Sequence, residues 1–190
     1  ITGYDAATNT LTFTANGKEA GEDPYYLHHY ALNINGGQPT LLNKGDYDHQ
    51  VEVSESGRYF VNNSSRVNTV PTSALYNNRG QLILNLETAD LQQLTAAGYR
   101  FPEPFKVKAA DGITDLYGVM YKPFDFDSTK VYPIVDYVYP GPQVEAVYYP
   151  FTRMSVRTDR LAQAGFIVIS VGQRGGHPSR SKWYHNYGYG

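Results

Sequence analysis

Cysteine is absent from the 190 residues, so disulfides and cysteine-ligated metal sites are excluded, and the redox compartment stays open. Charge imbalance is nearly absent too. A formal net charge of -2 gives no electrostatic case for nucleic acid or an anionic membrane surface. No apolar run is long enough to span a bilayer as a helix. The five histidines form no metal-binding set, since His28 and His29 are adjacent and on a strand would point to opposite faces. No serine is flanked by the glycines of a G-x-S-x-G elbow; Ser170 comes nearest, inside an apolar strand pattern. What remains is ordinary for a folded domain, with 41% hydrophobic and 18% charged residues, and length enough for one or two domains.

The first 86 residues read as short strands separated by turns. Residues 10–15 alternate and are followed by Asn16-Gly17; residues 30–34 end at Asn35-Gly36-Gly37, and residues 38–43 close the set. A second set covers 50–54, 58–63, 73–76 and 81–86, with a turn at Glu55-Ser56-Gly57. Residues 10–16 overlay 57–63 at an offset of 47, and 39–42 overlay 81–84 at an offset of 42. A four-stranded unit recurring every 40–45 residues or so is the period of propeller blades, although a plain meander fits two repeats equally well. Residues 87–98 predict a short helix with acidic residues at its start, Leu91 and Leu94 inward, and Gly98 as cap. Pro102 and Pro104 then mark a stiff linker and a boundary near residue 100.

Beyond the linker the grammar changes. Residues 105–110 and 116–121 predict a hairpin about Asp111-Gly112. The run from Lys130 to Gly141 (K-V-Y-P-I-V-D-Y-V-Y-P-G) predicts a strand buried on both faces. Residues 151–164 predict a helix with Phe151, Met154, Thr158, Leu161 and Ala162 on one face and Gly165 as its C-terminal cap. Residues 166–171 (F-I-V-I-S-V) predict a second apolar strand, completing a βαβ unit.

These stretches carry a resemblance. The K-x-Y-P strand ending in Tyr139-x-Gly141-Pro142, and L-A-Q-A-G-F-I-V-I-S-V followed by Arg174-Gly175, resemble the start of the catalytic domain in the prolyl oligopeptidase family of serine peptidases, in its dipeptidyl peptidase IV branch. S-E-S-G-R-Y-F (54–60) resembles the second strand of a propeller blade in that family. The resemblance implies a mixed β and α/β chain: the last two propeller blades and a connecting helix over residues 1–98, then the first part of an α/β-hydrolase domain over 99–190. It implies a serine peptidase that removes dipeptides from peptide N-termini through an acyl-enzyme, needing no cofactor and no metal, and either periplasmic or exported in a bacterium. It also implies that Tyr139 gives its hydroxyl to the oxyanion hole, while the Ser, Asp and His of the triad lie outside this sequence. Neither Ile1 nor the aromatic loop ending at Gly190 reads as a natural terminus, so the expectation is a fragment, inactive alone and prone to self-association through open strand edges. The alternatives are a non-catalytic propeller and hydrolase-like binding protein, or an oligopeptidase or acylaminoacyl peptidase of the same family.

Two departures affect the loops. The family loop reads Asp-Gly-Arg-Gly where this chain has Gly172-Gln173-Arg174-Gly175, and Pro140 stands where a small residue is usual. Two other motifs are decoys. Ser179-x-x-Lys182 lacks the S-D-N and K-T-G partners of penicillin-binding enzymes. Gly172 to Gly176 is not G-x-G-x-x-G.

Overall fold

The computed structural model describes residues 1–139, 141, 144–151 and 157–188. These fall into two compact units: Ile1–Arg66 with Val70–Ala89, and Val67–Thr69 with Asp90–Gly190. Among the described residues strands dominate, helices are short, and no helix is long and apolar enough to cross a membrane.

The first unit is two antiparallel four-stranded meanders in chain order. One holds β1 (Gly3–Asp5), β2 (Thr10–Asn16), β3 (Leu27–Asn33) and β4 (Thr40–Leu41). The other holds β5 (Asp48–Val53), β6 (Tyr59–Ser65), β7 (Thr72–Asn77) and β8 (Leu82–Thr88). The sequence overlay superposes true counterparts, since β2 and β6 are second strands and β4 and β8 are fourth strands. Only β1 was not expected; at three residues it is too short to leave a pattern.

The core of this unit is aromatic. Tyr30 stacks on Phe13 at 5.7 Å and Phe60 on Tyr76 at 5.3 Å, and Leu42, Tyr25 and Tyr26 are also buried. Such pairs contribute about 0.5–1.5 kcal/mol each beyond the area they bury. By contrast, every residue of β8 is exposed, with Leu82, Ile83, Leu84 and Leu86 between 45% and 55% accessible.

The second unit opens with a helix shorter than expected, α1 (Gln92–Ala96). The ladder of β8 claims Glu87 and Thr88 by pairing them with Ser73 and Thr72, so the helix begins later. It has no acidic residue in its first turn and no fully buried residue, and Leu91 and Leu94, expected to face inward, are half-buried. Gly98 does end it, at φ +86, with the Tyr99 N–H bonded to Leu94 O at 3.0 Å.

A mixed sheet follows, ordered β11-β12-β10-β9. Its hairpin is β9 (Glu103–Lys108) and β10 (Asp115–Tyr121), turning where Asp111-Gly112 predicted it. The parallel pair is β11 (Ile134–Asp136) and β12 (Ile167–Val171). Between them lies α2 (Arg157–Ala162), which seats Thr158 and Ala162 in the core and ends before Gly165 at φ +99. The remaining part of the predicted helix, with Met154, lies outside the described residues, and Phe151 precedes the helix.

The strand at Lys130 to Gly141 needs correction. Only three of its residues pair, and Ile134 is 65% exposed instead of buried on both faces. The cause is position: β11 is the edge strand, while β12 in the interior buries Val168 and Ser170.

Candidate functional site

The second unit gathers its candidate groups at the end of the parallel pair. The Tyr137 N–H extends the ladder past Asp136 with a 2.8 Å bond to Ile169 O, and Tyr139 follows just beyond. Open sheets of this kind collect functional groups past the carboxyl ends of their parallel strands. Tyr139 is 60% exposed, so its ring is not a core residue. It lines an open cavity of about 420 Å³ with Tyr137, Val144, Glu145, Ala146, Tyr148 and Thr158.

Glu145 was not singled out by the sequence, and nothing local marks it. Its two carboxylate oxygens are buried, and one lies where a side chain at position 172 would begin: a Cβ on Gly172 would stand 1.9 Å from Glu145 Oε1. The glycine that departs from the usual loop pattern is therefore what leaves room for this carboxylate. The Gly172 N–H bonds Tyr117 O at 2.8 Å, which fixes the start of the loop.

Two arginines hold that loop against the hairpin. Arg174 pairs with Asp111 at 2.8 Å and lies 3.7 Å from the centre of the Tyr187 ring. Arg180 donates to Asp115 O at 3.3 Å and stacks over Tyr184 at 4.4 Å. Bonds from the Thr114 hydroxyl, then from the Thr114 and Ile113 amides, with the Arg174 charge, hold the Asp111 carboxyl down at about 2. Gly175, at φ +91, donates its N–H to Tyr184 O and closes the loop on α3 (Lys182–His185). Ser181 caps that helix by accepting from the Tyr184 N–H.

The described residues contain no cluster of three or more His, Asp or Glu able to hold a metal. Pro140 and Pro142 of the Tyr139-x-Gly141-Pro142 motif lie outside the described residues.

Comparison with known proteins finds a consistent set of relatives. Residues 1–71 match the family model described as the dipeptidyl peptidase IV (DPP IV) N-terminal region. Dipeptidyl peptidase 8 of Homo sapiens is 30% identical over 163 residues, 81% of this chain and 18% of the relative. Dipeptidyl-aminopeptidase B of Aspergillus niger is 28% identical over 160 residues, 81% of this chain and 17% of the relative. A crystal structure described as a dipeptidyl aminopeptidase IV from Bacteroides ovatus superposes with a TM-score of 0.78 at 28% identity, over 98% of this chain and 26% of the other. The chain thus spans under a third of the length of each of these relatives. The matches support the dipeptidyl peptidase IV family, and the β-rich first unit is consistent with a propeller-like N-terminal region of that family.

Proposed function

We propose that the chain is part of a serine-type dipeptidyl aminopeptidase. Its two meanders are the last blades of a propeller over residues 1–98. Residues 99–190 open an α/β-hydrolase domain whose serine, aspartate and histidine are supplied by the rest of the full-length protein. The substrates are peptides with a free N-terminus, and the enzyme is exported to a bacterial periplasm. The observation that carries this reading is Tyr139: an exposed phenol, just past the end of a parallel strand, on the wall of an open cavity.

In acyl transfer a phenol so placed donates to the oxyanion of the tetrahedral intermediate. Charge on that oxygen grows in the transition state, so the bond strengthens there more than in the ground state. Tyr139→Phe keeps the ring and removes the donor. In the full-length protein it should lower kcat by roughly 10²–10³ on dipeptidyl chromogenic substrates, with KM and thermal stability little changed. Unchanged turnover in this variant would sink the assignment. The 190 residues alone should take no fluorophosphonate label, because none of their serines sits in an elbow. The exposed leucines of β8, on an edge strand, should make the isolated chain self-associate.

A further inference from the structure

Asparagine is followed by glycine twice in the chain, at Asn16-Gly17 and at Asn35-Gly36. That dipeptide carries a chemistry of its own. The main-chain nitrogen after an asparagine can attack the side-chain amide carbon, and glycine, with no Cβ, leaves that nitrogen unshielded. How firmly the fold holds the two groups apart decides whether the attack occurs. The fold treats the two pairs differently.

Asn16 is the last residue of β2 and pairs with Leu27 of β3. Its Nδ2 donates to Pro24 O at 2.9 Å, a part-buried bond that ties the amide to the loop leading into β3. A Cβ on Gly17 would stand 3.5 Å from the same oxygen, so that carbonyl lies against both residues of the pair. Attack here needs the bond to Pro24 broken and the end of the β2–β3 ladder opened.

Asn35 lies in the connection between β3 and β4, where residues 33–38 are all exposed. Its main-chain N–H donates to Asn33 Oδ1 at 2.9 Å, but its side-chain amide makes no hydrogen bond among the described residues. Gly36 and Gly37 follow at φ +139 and +119, and a Cβ on either would meet nothing within 4 Å. The attacking nitrogen is restrained by one bond, from the Gly36 N–H to Asn33 O at 3.1 Å. Breaking a single exposed bond in a two-glycine turn is a local opening of low cost. Asn33, in the same turn, is anchored instead: its Nδ2 donates to Thr8 O at 3.0 Å, and the branched Ile34 follows it.

We propose that Asn35 is a site of spontaneous deamidation, from which the fold protects Asn16. The Gly36 nitrogen gives its proton to hydroxide and forms a bond to Asn35 Cγ. The Cγ–Nδ2 bond then breaks, and the amide nitrogen leaves as ammonia with a proton returned from water. The five-membered imide that remains takes up one water at either carbonyl. Opening at Cγ gives aspartate, whereas opening at the main-chain carbonyl gives isoaspartate, in which the chain runs through the former side chain. No oxidant or reductant is needed. Either product adds a carboxylate to a chain of formal net charge -2. The isoaspartate also inserts a methylene into the connection to β4, a strand held to β3 only by the pairs Tyr30–Leu41 and Ala31–Thr40.

The test is peptide mapping by mass after the full-length protein is kept in warm, mildly alkaline buffer, either folded or in urea. Trypsin cuts after Lys18 and Lys44, so the two pairs are read on separate peptides. In the folded protein the peptide 19–44 should gain about 1 Da and resolve into two products of equal mass. Its rate should exceed that of the Asn16 peptide at least about tenfold, and the gap should close in urea, where both pairs lie in open chain. Asn35→Gln, whose extra methylene disfavours the ring, should abolish the gain. Equal folded rates, a faster Asn16, or a gain on 19–44 that survives Asn35→Gln overturns the proposal. So does a folded Asn35 that stays intact, whether or not the chain in urea reacts.

Discussion

Gly80→Ala probes how closely the two meanders are fitted. Gly80 sits in the turn between β7 and β8 at φ +74, with its N–H bonded to Asn77 O. A Cβ there would stand 2.5 Å from Leu42 O and 2.9 Å from Leu42 Cα. Both are backbone atoms, so no side chain can swing away. Leu42 is itself tied by its N–H to His29 O, and the next residue, Asn43, is buried and accepts from the His29 N–H. Placing alanine in the left-handed region costs about 1–2 kcal/mol. Overpacking against fixed backbone adds about 1–3 kcal/mol. Together these predict a loss of roughly 2–5 kcal/mol. Gly57→Ala is the control, with φ +64 and no atom within 4 Å of its Cβ, so it should show the conformational cost alone. With a urea slope near 2 kcal/mol/M, the midpoints should drop by about 1–2.5 M for Gly80→Ala and about 0.5–1 M for Gly57→Ala. Circular dichroism of the β signal reads both. Equal losses would refute the close approach as the cause.

Other substitutions isolate other parts of the argument. Ser170→Ala should leave stability unchanged or raise it in urea unfolding, because the Ser170 hydroxyl is buried with no hydrogen-bond partner among the described residues. Leu84→Lys, on the open strand β8, should shift sedimentation towards the monomer without altering the β signal. The Asp111 carboxyl should titrate near 2 by carbon NMR and return towards its ordinary range in Thr114→Val. Because its folded value lies below the unfolded one, its contribution is present above about pH 4 and fades below it.

Much of the strand plan was legible because turns punctuate it. Asn16-Gly17, Ser54 to Gly57 and Asp111-Gly112 each sit where a strand ends, and glycine takes positive φ at all three. The parallel pair was legible as a pattern but not as an environment. Apolar composition says that β11 can be buried, whereas edge position decides that Ile134 is not. The end of β8 was misread as helix because local propensity cannot see the partner strand that claims Glu87 and Thr88. Tyr139 carried a motif, but Glu145 meets Gly172 only through the fold, 27 positions along the chain (172 − 145). The buried bond between Asn43 and Asn62 was hidden for the same reason. Asn43 and Asn62 look like turn and strand-surface residues until two sheets bury them together.

The order β11-β12-β10-β9 sets a timetable for the emerging chain. Each meander closes between consecutive strands, so it can form soon after it leaves the ribosome. The central contact of the second sheet joins Gly118 to Val171 and Tyr121 to Val168, partners separated by roughly 50 residues. Closing loops of that length before any contact rewards them slows folding. During synthesis the β9–β10 hairpin therefore waits with its β10 edge bare, from the moment Tyr121 emerges until β12 arrives to cover it. At 5–20 residues per second that is a window of a few seconds, and it is the interval in which a chaperone has most to protect.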